Sequence, residues 1–127
     1  MITKREGLIL YLCEGDKFQG ERLYMVAVTS AEPKILKLFI EWLKKFYNAN
    51  IYKLKARIHL WPDSDKIKCK DFWSCELGIS EAQFTKSYVK NKSGKNKKYP
   101  FGVCRVGLYN KKMFQTIMKE IDKILAE

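Results

Sequence analysis

The stretch Gly7-Leu8-Ile9-Leu10-Tyr11-Leu12-Cys13-Glu14-Gly15-Asp16 decides how the rest of the chain is read. It predicts a short apolar helix that runs into a Glu-Gly-Asp turn. Thr3 and Glu6, three residues apart, form a capping box that sets its start. Gly7 inside the helix costs about 1 kcal/mol against Ala, and so points to close approach of a second helix. Glu14 and Asp16 stand at the C-terminal end, where the helix dipole disfavours a carboxylate by roughly 0.3–1 kcal/mol. Two acids there predict that a cation comes to them. Gly7, Leu10 or Tyr11, and Glu14 share one face by their i, i+3/i+4, i+7 spacing. Two such helices packed through Gly7 would bring two Glu14 carboxylates together. The alternative is a surface acid in an ordinary helix-to-strand turn, and residue types alone leave both open.

The chain has 127 residues, 46% of them apolar and 13% aromatic. That predicts a single globular domain over residues 1–127 with a real core. No apolar run nears the ~20 residues of a membrane span. Nor is a signal peptide expected, since acids interrupt the first apolar run and no cleavage site follows it. Cys13, Cys69, Cys75 and Cys104 show no C-x-x-C pairing and no ligand-spaced His, which argues against structural zinc. They are expected as buried thiols of a cytoplasmic protein. The formal net charge is +11. Such an excess in a small domain favours a polyanionic partner over a Lys-rich surface kept for solubility, provided the charges are gathered.

Charge placement therefore matters along the chain. After a short strand near residues 17–21, Arg22 to Thr29 predicts a central strand, apolar on both faces. Ser30 caps and Pro33 opens a helix to about Asn48, with Ile35, Leu36, Phe39, Leu43 and Phe46 on its apolar side. Lys53 to Trp61 predicts a strand whose faces differ sharply. Leu54, Ala56, Ile58 and Leu60 point one way; Lys53, Lys55, Arg57, His59 and Trp61 point the other. Like charges spaced two apart repel and nothing in the strand balances them, so a phosphate-bearing ligand fits this face better than water does. His59 reads as part of that polar face rather than as a catalytic base.

Asp65 caps a helix from Lys66 to Leu77, stopped by Gly78, with Ile67, Phe72, Trp73 and Leu77 as its core side. Ser80 and Gln83 form another capping box. Thr85 to Lys90 and Phe101 to Leu108 predict two strands joined by a polar loop. Lys86, Lys90, Lys92, Lys95, Lys97 and Lys98 follow without an acid, a run that can track a nucleic-acid backbone or simply discourage sheet-edge association. In the second strand Cys104, Val106 and Leu108 are expected inward, with Val103, Arg105 and Tyr109 on the other side. Asn110 caps a last helix, whose first turn holds Lys111 and Lys112 as phosphate contacts.

Gly7 to Gly15 resembles the motif helix of the LAGLIDADG homing endonucleases: nine positions, apolar, closing on an acid and a Gly. Leu10 falls on the second Leu of the motif, Cys13 on its second Ala, Glu14 on its metal-binding acid and Gly15 on its final Gly. The order of elements continues the likeness through a strand, the Ser30-x-x-Pro33 helix start and a long amphipathic helix, and more loosely beyond residue 50. Ile9 and Leu8 depart from the family's Gly and Ala.

The resemblance implies an α+β fold with an αββαββα core. A curved antiparallel sheet would carry helices on one face, with Lys66 to Leu77 as an inserted helix. The open face would lie on the DNA major groove. A homodimer joined through Gly7, Leu10 and Tyr11 would bind double-stranded DNA. It further implies Glu14 as a metal ligand with the Gly15 carbonyl as a second contact, Mg²⁺ as the ion, and Lys90 or Arg105 as the basic residue near the scissile phosphate. Three functions fit: a metal-dependent DNA endonuclease, a nuclease-inactive DNA-binding regulator, or an RNA-binding protein that assists splicing.

Overall fold

Helix α1 spans Lys4–Glu14 and starts as its capping box requires. The Glu6 N–H donates to Thr3 Oγ1 at 3.1 Å, and the Thr3 N–H donates back to Glu6 Oε1 at 2.9 Å. The computed structural model describes residues 1–17, 24–89 and 100–127. Over these, α1 is followed by β1 (Met25–Ser30), α2 (Pro33–Tyr47), β2 (Lys55–Leu60), α3 (Lys66–Leu77), β3 (Tyr88–Val89), β4 (Val103–Tyr109) and α4 (Lys111–Leu125). The short strand expected near residues 17–21 lies almost wholly outside the described residues, as do Arg22 and Leu23.

The architecture is α+β, with the strands in the order β1-β4-β2-β3. β4 runs antiparallel to both neighbours, but β2 and β3 are parallel. The expected all-antiparallel sheet is therefore a mixed one. The inserted helix accounts for this: a parallel pair needs a crossover of a dozen or more residues, usually helical, and α3 is that crossover.

The four α-helices among the described residues pack on one face of the sheet. Val26 and Val28 of β1, Ala56, Ile58 and Leu60 of β2, and Cys104, Val106 and Leu108 of β4 enter one continuous core with them. Its centre lies between α1 and α2, where Tyr11 stacks on Phe39 and on Trp42 with ring centroids 6.2 Å apart in each case. The Trp42 Nε1–H reaches the Lys4 carbonyl at 3.1 Å, so the indole is both buried and satisfied. Deleting such a side chain costs about 3–5 kcal/mol.

Local signals set most boundaries, with informative exceptions. α2 is capped by Glu32, whose carboxylate accepts from the Lys34 N–H at 3.1 Å, while Ser30 bonds the Glu32 N–H. Residues 51–53 form a single 3₁₀ turn capped by Asn50, so Lys53 stands outside β2. The side chain of Gln83 ties that turn down from inside, donating to the Ile51 and Leu54 carbonyls at 2.8 and 2.9 Å. In α3, Asp65 accepts from the Ile67 and Lys68 N–H groups, and Gly78 closes the helix at φ 66°. The α3 core side is Cys69, Trp73 and Leu77, while Ile67 is 75% exposed rather than inward. At ~100° per residue, Ile67 lies about 200° around the helix from Cys69, nearly opposite it, which turns it to solvent.

Candidate nucleic-acid interface

The sheet face away from the helices is set by strand parity. In β2 the even residues Ala56, Ile58 and Leu60 are buried, whereas Lys55 and Arg57 are exposed and His59 is half-buried. Antiparallel register places Arg57 opposite Arg105, Lys55 opposite Gly107 and His59 opposite Val103. On the far side of β4, Arg105 faces Thr29, Gly107 faces Ala27 and Tyr109 faces Met25. Lys55, Arg57 and Arg105 therefore share one side of the sheet, as the sequence pattern required. β3 adds Tyr88, paired in register with His59. Its ring meets His59 edge-on at 5.6 Å and lies 5.8 Å from the Arg57 guanidinium.

Gly107 shapes this surface. A Cβ there would collide with Ala27 and with the Val26 carbonyl, so its absence lets β1 and β4 close up. A hollow of about 110 Å³ beside it is lined by Met25, Lys55, Arg57, Thr85, Arg105 and Tyr109. Three cations border a small concavity at the middle of the sheet.

The end of α1 is fastened to the same region. The Gly15 N–H donates to the Tyr11 carbonyl at 2.7 Å, and the Asp16 N–H donates to the Ala27 carbonyl at 2.9 Å. The Tyr11 hydroxyl donates to the Asp16 carbonyl at 2.5 Å. Burial pushes that hydroxyl well above the usual tyrosine range. Held this way, the Asp16 carboxylate forms an ion pair with the Arg105 guanidinium, whose other nitrogen lies 3.1 Å from Met25 Sδ. Lys17 folds back over the helix end, its ammonium donating to the Leu12 carbonyl at 2.7 Å and the Gly15 carbonyl at 3.0 Å. The cation expected at the C-terminus of α1 is thus supplied by the chain itself.

Several site residues take places other than those expected. Gly7 does approach a second helix closely, but that helix is α2: a Cβ on Gly7 would lie inside the Trp42 indole. Tyr11 is 0% exposed in the same layer and Leu10 is half-buried. The Gly7–Tyr11 side of α1 is spent within the chain and cannot also join two chains. The solvent side of α1 carries Glu6, Ile9 and Cys13 instead. Glu14 is exposed and forms no ion pair among the described residues. The Gly15 carbonyl, expected as a metal contact, accepts from Lys17. Among the described residues no group of three His, Cys, Asp or Glu side chains converges as a metal site needs. Of the two acids described at the end of α1, Glu14 is the one without an ion pair.

Arg105, one candidate for the basic residue at a scissile phosphate, is engaged by Asp16. The other, Lys90, lies outside the described residues, as do Lys92, Lys95, Lys97 and Lys98. Lys86 is exposed on the segment leading into β3. Lys111 lies over the Tyr24 ring at 5.2 Å, and Lys112 lines a shallow hollow with Tyr47 of α2, on the helix side. The first turn of α4 also has one N–H taken, Met113 donating to Asn110 Oδ1 at 2.9 Å. Tyr88 was not singled out by the sequence, although the parity of β3 against His59 is a signal for it. Asp16 was expected to meet a cation, but that the cation is Arg105 carries no local signal, since the partner is far along the chain.

Two cysteines expected inside are on the surface. Cys13 and Cys75 are exposed, Cys69 and Cys104 are buried, and all four are free thiols. No helix among the described residues is long and apolar enough to cross a membrane. Compared with family models, curated proteins and solved structures, the chain matches none.

Proposed function

We propose that this chain is a double-stranded DNA-binding protein of the LAGLIDADG type, acting in the cytoplasm as a homodimer. The observation that carries the reading is the cross-strand pair Arg57 and Arg105, flanked by Lys55, on the sheet face opposite the described helices. Like charges set directly opposite destabilise a sheet by roughly 0.2–1 kcal/mol. A line of phosphates relieves that repulsion, and a sheet face is a known way to enter or follow a groove. The free, exposed thiols of Cys13 and Cys75 fit a reducing compartment.

A second copy meets the chain through the solvent side of α1, where Ile9 is 41% exposed and Cys13 lies one turn further on. That arrangement leaves Glu14 next to the contact. Duplex binding without cleavage is the primary reading, because the Gly15 carbonyl is occupied by Lys17 and, of the two acids described at the end of α1, Asp16 is already paired with Arg105. The exposed Glu14 favours a nuclease as the second reading: a pair of such acids would hold Mg²⁺, which would supply Lewis-acid chemistry at a phosphodiester.

Two assays test this. Replacing Lys55 and Arg57 by Ala weakens duplex binding across sequences and lowers its salt slope by about 2; unchanged binding would remove the sheet face as the contact surface. Supercoiled plasmid incubated with Mg²⁺ or Mn²⁺ separates the two readings. Nicking that disappears in Glu14→Gln establishes the nuclease, and an intact plasmid at saturating protein leaves the binder.

A further inference from the structure

The segment Phe84 to Val89 separates two hollows. Phe84 bridges Ala56 in parallel, and the Thr85 N–H donates to the Ala56 carbonyl at 2.8 Å, so the segment lies along the edge of β2. Thr85 borders the small hollow on the open face, together with Lys55, Arg57 and Arg105. It also borders a larger one, of about 350 Å³, whose opposite wall is the first turns of α3.

Chemistry in the larger hollow is one-sided. Lys66 and Lys70 enter from α3, Lys86 from the sheet edge, and the hydroxyls of Thr85 and Ser87 complete the polar lining. Among the described residues no carboxylate lines it, and none of the three lysines forms an ion pair. The nearby Asp65 is turned to the α3 backbone, where it accepts from Ile67 and Lys68. Three ammonium groups around one concavity repel one another unless an anion sits among them. The exposed side chain of Ile67 borders the same space and offers a sugar ring an apolar contact.

We propose that this hollow is a second phosphate site. The backbone of a duplex lying on the open sheet face continues past Thr85 and is held by Lys66, Lys70 and Lys86. The inserted helix α3 then contributes to binding as well as to topology. The inference rests on the sheet face binding DNA, and its test keeps the two apart.

Full-length wild type is compared with Lys66→Ala/Lys70→Ala and with Lys55→Ala/Arg57→Ala. The probes are a duplex of about 10 base pairs, one helical turn, and one of about 30. The α3 variant is expected to bind the longer duplex about 10-fold more weakly at ~0.15 M salt, with a salt slope lower by nearly 2. Its loss on the short duplex is smaller, whereas the sheet variant weakens both. In the wild type, addition of the longer duplex shifts the Lys66, Lys70 and Ser87 amide resonances, a readout that needs no variant. If only the sheet variant loses affinity and those amides stay in place, the α3 site is wrong and the sheet reading stands. If neither variant loses affinity, both fall. Saturable binding of inorganic pyrophosphate that needs Lys66 and Lys70, with duplex binding untouched, would make the hollow a small-anion site and overturn the proposal.

Discussion

Arg57 and Arg105 stand directly opposite each other across β2 and β4, and among the described residues only Arg105 has a carboxylate beside it. Asp16 supplies that carboxylate from the end of α1, and Tyr88 offers Arg57 a ring face rather than a charge. The face is left with a surplus of positive charge at its centre, and one acid already occupies the position a phosphate would take at Arg105.

Asp16→Asn is therefore expected to raise duplex affinity. Removing one negative charge from beside Arg105 corresponds to roughly 1 kcal/mol, or about fivefold, at moderate salt. Stability should fall by no more than about 1 kcal/mol, since both partners of the ion pair are partly solvated. Anisotropy titrations and urea unfolding measure the two effects. Weaker binding by the variant would show instead that Asp16 aims Arg105 or takes part in the contact.

Gly7→Leu should act on folding. The added side chain has to enter the Trp42 indole, and overpacking of this kind costs about 1–3 kcal/mol. The urea midpoint, followed by tryptophan fluorescence, should drop by the same amount at every protein concentration. A drop that vanishes at high concentration would place Gly7 in a subunit contact after all.

Cys13 reports directly on the solvent side of α1. In a Cys75→Ser background the remaining thiols, Cys69 and Cys104, are buried. A short bis-maleimide should then yield covalent dimers through Cys13, and Ile9→Lys should abolish them. A dimer seen by light scattering that resists this cross-linking is built on another surface.

Much of this fold was legible because local rules set it. Thr3 and Glu6, Asp65, Gly78 and Asn110 each satisfy backbone groups of their own helix, so a few neighbouring residues decide the boundary. The alternation in β2 survives for a similar reason: parity fixes both faces at once. Relations between distant segments were not legible. The Gly7 gap is filled by Trp42, Asp16 meets Arg105, and Arg5 pairs with Glu127. Each depends on where the sheet brings the chain back. The parallel β2–β3 pairing could have been read, since a helix inserted between two strands reverses the return. Ile67 misled because apolar character alone does not choose a helix face.

Alkaline stability should respond to Cys104. Burial pushes its thiol from the ordinary 9.0 up to about 12. The unfolded chain then releases the proton first, so this contribution is intact below pH 9.0 and is lost as pH rises towards about 12. The limiting slope for one such group is about 1.4 kcal/mol per pH unit. Tyr11 is shifted in the same direction by burial and adds its loss at higher pH. Unfolding measured between pH 8 and 10 should show a shallower decline in Cys104→Ala than in the wild type. Parallel declines would mean that the thiol does not set the onset.

The central claim is that DNA lies on the uncovered side of the sheet, and amide resonance mapping during titration with a duplex tests it most directly. Lys55, Arg57, Val103 and Arg105 are expected to shift early and together, while Leu36 and Ile117 in the helix layer stay in place. Shifts confined to helix-layer residues, or none at saturating duplex, would contradict it.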